Sequence, residues 1–314
     1  MSSETVDVPL SNEGQTAIAE QTLKSLRRSG SRVKKIVLFG QLYLAAIAVA
    51  MSATVVIALS LPPNPAPLVM GLVMFSVYVG DRIGDIQDVE SATAERQKFF
   101  KRHEKKLSAL SAGAYGLAIG IGVYGGPFSF LLTLIPGIFW ILYATDFLPS
   151  ISGPLERVKS ILVVNSAFVA LAWTIPLVFL PLSFTQQAFS PVAGVVFVYF
   201  VLDIFINTEI PNVRDIQEDQ ANGVSTIPVV FGVQRTRRIL YALDVFLLTF
   251  LAIAFINGVL PLAFAGATIA GLIYALGIAG FVGRTEDYGK LTLLGETKHL
   301  FVGGFLVIVS LLPL

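Results

Sequence analysis

The segment VYVGDRIGDIQDVE, residues 77–90, sets Asp81, Asp85 and Asp88 at the end of an apolar run. Successive residues of a helix turn by about 100°. Positions i, i+4 and i+7 therefore fall within roughly 60° of arc and form one stripe. Three like charges on one stripe repel and destabilise an isolated helix. Arg82 neutralises one charge, not three. A solvated helix end tolerates acids, but this stripe begins directly after VYVG, near membrane depth, where ionisable groups are costly and usually functional. A divalent cation is the better partner. Residues 212–228, NVRDIQEDQANGVSTIP, repeat the spacing with Asp215, Asp219 and Asn222. One such motif alone is ambiguous between a site and an acidic loop entry. Two with the outline D-x-x-x-D-x-x-(D/N), each after an apolar span, favour a composite site and point to duplication of a half-bundle.

The donor types narrow the chemistry. The chain has no cysteine and only two histidines, His103 and His299. Disulfide, thiolate and cysteine–zinc chemistry are thereby excluded, and a metal site would be built from carboxylates. Such donors suit hard cations. Mg²⁺ takes one or two carboxylates, keeps several waters and shares the rest of its coordination with substrate phosphates; Mn²⁺ suits the same oxygen set. A phosphorylated head between two acidic stripes, with its tail among apolar helices, describes a lipid diphosphate.

The elements that must position these acids are membrane helices. The 314-residue chain is 54% hydrophobic and 14% charged, with a mean hydropathy of +0.75, whereas a soluble domain is about 25% charged. A spanning helix needs about 20 apolar residues. Nine candidate spans lie near 36–60, 66–87, 107–124, 127–145, 159–181, 189–209, 237–256, 259–283 and 298–314. The expected fold is all-α, a polytopic membrane bundle of about nine transmembrane helices. It forms one domain over 36–314, preceded by a polar tail over 1–35 with no signal-peptide pattern.

All 22 lysines and arginines fall in 24–35, at Arg82, or in 96–106, 157–159, 214–238 and 284–298. The intervening linkers LPPNPA, YGGP, SFTQQ and ING carry no charge. The positive-inside rule places the N-terminus and the charged loops in the cytoplasm. The expected location is a prokaryotic cell membrane, with both motifs at the cytoplasmic face, the C-terminus outside, and no nucleic-acid partner. The basic run RQKFFKRHEKK reads as a membrane-surface anchor. Asp203 and Asp244 lie inside spans. Asp203 is three turns before Asp215 and is placed to line a cavity; Asp244 is expected to pair with a neighbouring helix. Tyr78 and Tyr199 read as packing residues.

At these motifs the sequence resembles the UbiA superfamily of intramembrane prenyltransferases, in which acidic motifs follow the second and sixth of nine helices. The second motif, DIQEDQANGVSTIPVVFG, matches through Asp215, Asp219, Gly223, Thr226, Pro228 and Gly232. The stretch LYATDFLPSISGPLERVKSILVVNSAFVALAW is also family-like, with Tyr143, Lys159 and Asn165 at corresponding places. The first motif departs from the common N-D-x-x-D-x-x-x-D. Asp81 stands for the Asn, Arg82 for the first acid, Asp85 matches, and Asp88 is one residue early. The resemblance covers residues 36–314. It implies an allylic prenyl diphosphate donor, Mg²⁺, and a lipophilic acceptor. It makes Asp81, Asp85, Asp88, Asp215 and Asp219 the metal and diphosphate ligands. Lys159, Arg214, Tyr143 and Asn165 are candidates for contacting the diphosphate, although Arg214 also reads as a plain cytoplasmic charge and Asn165 as an interhelical hydrogen bond.

Three other functions use similar parts. A transporter carries intramembrane acids, but near the bilayer midplane rather than at helix ends on one face. The same diphosphate site could ionise and cyclise its substrate without an acceptor. A phosphatidyl-type alcohol phosphotransferase would need a DG…AR…G…D…D segment, which is not found here.

The topology is testable because native cysteine is lacking. In right-side-out vesicles, Ser183→Cys is expected to react with a membrane-impermeant maleimide from outside. Ser150→Cys and Ser225→Cys should react only after the membrane is opened. Free labelling of Ser225→Cys in sealed vesicles would invert the orientation.

Overall fold

Hydrocarbon offers the backbone no hydrogen bonds, so an apolar run crossing it must satisfy its own peptide groups, and a helix does so. The computed structural model describes residues 36–84, 94–144 and 164–311. Its helices are α1 Leu42–Ala58, α2 Ala66–Gly84, α3 Ala94–Tyr124, α4 Pro127–Ala144, α5 Val164–Thr185, α6 Pro191–Arg214, the short α7 Ile216–Ala221, α8 Ile227–Ile256, α9 Leu262–Phe281 and α10 Tyr288–Leu311. No strand occurs among the described residues. Seven of these helices are long and apolar enough to cross a bilayer; α1 and the apolar part of α4, Pro127–Ile141, are shorter. The expected all-α membrane bundle is therefore what the chain forms.

Local chemistry sets the boundaries. Asn64 Oδ1 accepts from the Ala66 amide at 3.1 Å at the start of α2. Ser190 caps α6 through the Ala193 amide at 3.2 Å, with Pro191 at the first helical position, where a missing N–H costs nothing. Gly126 adopts φ 101° and closes the two-residue turn between α3 and α4.

The helices form a closed ring. Each packs on its successor, α6 passes to α8 across the short α7, and α10 packs on α1. Small residues set the approach, as is usual between membrane helices. A Cβ on Gly71 would meet the Val49 side chain at 2.6 Å, and one on Gly303 would meet the Ala50 carbonyl oxygen at 2.9 Å.

Three helices begin earlier than their hydropathy indicates. The basic run of 96–106 is the first part of α3, and Arg235, Arg237 and Arg238 belong to α8. Lys298, expected in a charged loop, is buried in α10 at 1% exposure. Charged side chains depress a hydropathy window even where the helix continues through them, and Lys298 is tolerated inside because it meets Asp203. Its Nζ lies 2.5 Å from Asp203 Oδ1, and His299 Nε2 lies 3.1 Å from Asp203 Oδ2. The cluster joins α6 to α10. Asp203 thus faces α10 and is not among the residues bordering the cavity described below. Asp244 is also buried, but neither of its oxygens has a hydrogen-bond partner among the described residues. Tyr199 packs edge-on against Phe200 and Phe264.

The contact at Gly303 predicts a contrast with its neighbour. Gly303→Leu overpacks the α1–α10 seam, an effect worth about 1–3 kcal/mol, and should lower the melting temperature in detergent by several degrees. A Cβ on Gly304 meets nothing within 4 Å, and Gly304→Leu should leave it unchanged.

Candidate active site

The first motif starts in the last turn of α2. Trp140 on α4 donates from Nε1 to Asp81 Oδ1 at 3.3 Å. Its ring lies over Gly80, where a Cβ would come within 3.1 Å. One turn earlier, Tyr78 stacks on Trp173 of α5 with centroids 5.9 Å apart. Asp85 and Asp88 lie outside the described residues, as do Lys159 and the side chain of Tyr143.

The second motif forms where α6 breaks. Pro211 has no N–H, so the Asn207 carbonyl one turn back loses its helical donor. The helix ends at Arg214, and Asp215 caps the junction to α7. The amide of Asp219 donates to the Asp215 carbonyl at 2.8 Å, so the two acids stand one helical turn apart, as their spacing predicts. Asn222 caps the far end of α7. Gly223 then turns the chain at φ 67°, a left-handed conformation that glycine adopts without strain. The Val224 amide returns to the Asp219 carbonyl at 2.8 Å, and Thr226 Oγ1 donates to Asp219 Oδ2 at 3.2 Å. The Gly223 and Thr226 of the family-like motif thus shape the carboxylate's surroundings. Gly232, at φ 75°, breaks α8 shortly after its start.

The charges here are only partly balanced. Arg214 grips both oxygens of Asp215, at 2.6 and 2.7 Å. Burial pushes the Asp219 carboxyl up to about 6; the Thr226 hydrogen bond opposes this, while Asp215 and Glu218 add to it. Deeper in α6, Glu209 is fully buried and accepts from Asn212 Nδ2 at 3.2 Å, which also reaches Ser166 Oγ of α5 at 3.3 Å. Asn165 is buried; its Oδ1 has no partner among the described residues, and it does not border the cavity.

Between the motif helices lies a cavity of about 180 Å³. Its wall is mainly apolar, with Met51, Met70, Met74 and Leu177 among the lining residues. Tyr78 and Pro211 also border it, and they precede Asp81 and Asp215 by one turn. Both motif helices therefore wall the same cavity. Among the described residues no three acids or histidines converge at a metal-sized point; Asp215 and Asp219 form a pair, and Asp81 stands on the other helix. Glu209, Glu296 and the Lys298–His299 pair escaped the sequence reading. Their signal was an ionisable residue inside an otherwise apolar segment, which marks function by default.

A family model described as the UbiA prenyltransferase family matches residues 101–289. The chain belongs to the UbiA prenyltransferase family. The matched stretch holds the second motif of this UbiA-family chain and not the first. Structural likeness extends over the bundle. An apo UbiA homologue from Aeropyrum pernix K1 superposes with a TM-score of 0.62 at 14% identity, covering 86% of this chain and 99% of that one. A UbiA homologue from Archaeoglobus fulgidus, bound to DMAPP and Mg²⁺, gives 0.60 at 16% identity, covering 88% and 100%. A digeranylgeranylglyceryl phosphate synthase gives 0.56 at 12% identity, covering 88% and 98%. No curated protein matches the sequence.

Proposed function

We propose that this UbiA-family protein transfers a prenyl group from an allylic prenyl diphosphate to a lipophilic acceptor within the membrane, in a Mg²⁺-dependent reaction. The observation that carries this reading is the apolar cavity walled by both motif helices, with Asp81 at the end of one and Asp215 and Asp219 at the end of the other. A diphosphate tethered to a hydrocarbon tail has that polarity. The bound states of the A. fulgidus homologue, with GPP or DMAPP and Mg²⁺, support it.

The acids fit such an ion. Mg²⁺ needs only one or two carboxylates when phosphate oxygens and waters complete its shell, and Asp215 and Asp219 supply an all-oxygen pair. Asp81, Asp85, Asp215 and Asp219 would hold the metal–diphosphate head, with Asp88 as a further ligand and Mn²⁺ as an acceptable substitute. When bound, Mg²⁺ supplies charge neutralisation for the diphosphate as it departs. Arg214, now on Asp215, would turn its planar fork to diphosphate oxygens, which it suits equally well. Lys159, Tyr143 and Asn165 are the remaining candidate contacts. The methionines and Leu177 bury the prenyl tail at about 0.8 kcal/mol per CH₂, and their exclusion of water guards the allylic cation from hydrolysis. The distribution of lysine and arginine supports chemistry at the cytoplasmic boundary, with a prokaryotic cell membrane as the proposed location.

Purified Asp85→Ala and Asp219→Ala proteins should insert normally yet release diphosphate from prenyl diphosphates more slowly by a factor on the order of a hundred or more. Chelator should abolish release by the parent protein; Mg²⁺ or Mn²⁺ should restore it, and Zn²⁺ should not. Normal release by either variant, or full activity in excess chelator, would overturn the two-motif site.

A further inference from the structure

The cavity wall is not apolar throughout. Glu296 and His299, three residues apart on α10, both border it, as do Asn207 and Thr208 of α6. The two helices are close here: a Cβ on Gly295 would lie 3.3 Å from Asn207 Oδ1. His299 is fixed through Asp203, so the stretch of α10 that carries Glu296 is anchored in register. Glu296 Oε2 is buried and has no hydrogen-bond partner among the described residues. An acceptor oxygen left so costs about 1–3 kcal/mol unless a ligand completes it. Tyr43 is near enough to lend this carboxyl a hydrogen bond, which leaves Oε2 unmatched, and Tyr78 and Arg82 act on it electrostatically. Tyr78 and Arg82 belong to the turn that carries Asp81, so Glu296 lies at the motif end of the cavity. Asp203, Lys298 and His299, with Asp244 beyond them, lie deeper.

We infer that Glu296 is the proton acceptor of the transfer reaction and that the acceptor substrate is a lipophilic alcohol or phenol. This rests on the prenyl-transfer reading above. The substrate hydroxyl donates to Oε2, and Asn207 and Thr208 offer it further polar contacts. The allylic C–O bond breaks, with its electron pair leaving on diphosphate. A new bond forms between the donor's C1 and the hydroxyl oxygen, or the ring carbon that the hydroxyl activates. The proton lost from that atom passes to Glu296, which later returns it to water or diphosphate. A pure hydrocarbon acceptor would leave Oε2 unanswered.

The test uses the full-length protein in nanodiscs with radiolabelled geranyl diphosphate, Mg²⁺ and a membrane-lipid extract from the source cells. Half of the extract is first acetylated to cap its hydroxyls. The parent protein should label lipid from the untreated half and not from the acetylated half; equal labelling of both overturns the inference. Glu296→Gln should transfer about 10²- to 10⁴-fold more slowly while binding a sulfur-bridged, unreactive geranyl diphosphate within about twofold of the parent, and Glu296→Asp should recover part of the rate. A Glu296→Gln rate within threefold of the parent, or a parallel loss of donor binding, overturns the inference, because a merely structural carboxylate would not separate the two. If Glu296→Gln does not fold, the acetylation comparison still decides. Failure of the parent protein to bind the sulfur analogue or release diphosphate would instead overturn prenyl transfer itself.

Discussion

A charge in hydrocarbon must be answered from within the protein, and the layout of this bundle follows from where the answers are. Lys298 and Asp203 are both essentially buried, on helices far apart in sequence. Their 2.5 Å contact obliges α6 and α10 to lie side by side. A buried ion pair is weak evidence for net stability, since desolvation consumes much of its Coulomb energy. What it enforces is register, because removing either partner leaves an unpaired charge, which costs several kcal/mol. With α10 also packed on α1 through Gly303, the ring closes and a cavity is left inside it. α6 contributes the second acidic motif and α10 contributes Glu296, so this one pairing places two parts of the candidate site.

The acids themselves stand where helices stop. Asp81 lies in the last turn of α2, and Asp215 fills the junction left when α6 ends. A helix end exposes backbone groups without partners, and the chain answers them locally: Gly223 reverses direction, Val224 returns to the Asp219 carbonyl, and Thr226 reaches its carboxylate. Such a corner holds two carboxylates one turn apart without embedding them in hydrocarbon. The tail side needs the opposite, and apolar residues one or more turns back along α2 supply it. Polarity changes along the helix axis over a few residues, which is the profile of an amphiphilic diphosphate.

The sequence showed the second motif because the spacing of Asp215 and Asp219 is that of one helical turn, and the chain makes that turn with the Asp219 amide on the Asp215 carbonyl. It also showed the all-α membrane class, since apolar runs of this length have no other stable form in lipid. It did not show where α8 and α10 begin. Arg235, Arg237, Arg238 and Lys298 lower a hydropathy window without ending a helix. Placing Lys298 in a loop concealed Glu296 as well, since both sit on the same stretch of α10. The partner of Asp203 was equally hidden, because a pairing across almost a hundred residues leaves no local pattern. The phase of Asp203 relative to Asp215 predicts a cavity-facing side chain, but phase fixes a side of one helix and not which neighbour occupies it.

The acidic corner is built to receive a cation. Asp219 has a folded-state carboxyl raised to about 6 by burial and by Asp215 and Glu218, despite the Thr226 hydrogen bond. A carboxyl raised in the folded state weakens folding as pH climbs through the range where it must ionise, because the unfolded chain ionises it more easily. The acidic corner is therefore a place where the fold tolerates unfavourable charge. Two features keep it from rearranging: the α7 corner fixes Asp219 through backbone bonds that do not depend on its charge, and the Arg214 fork holds Asp215. A divalent cation arriving with a diphosphate would relieve the repulsion without moving the backbone. The cost is carried in advance by the bundle, whose apolar packing and α6–α10 pairing lie well away from the corner.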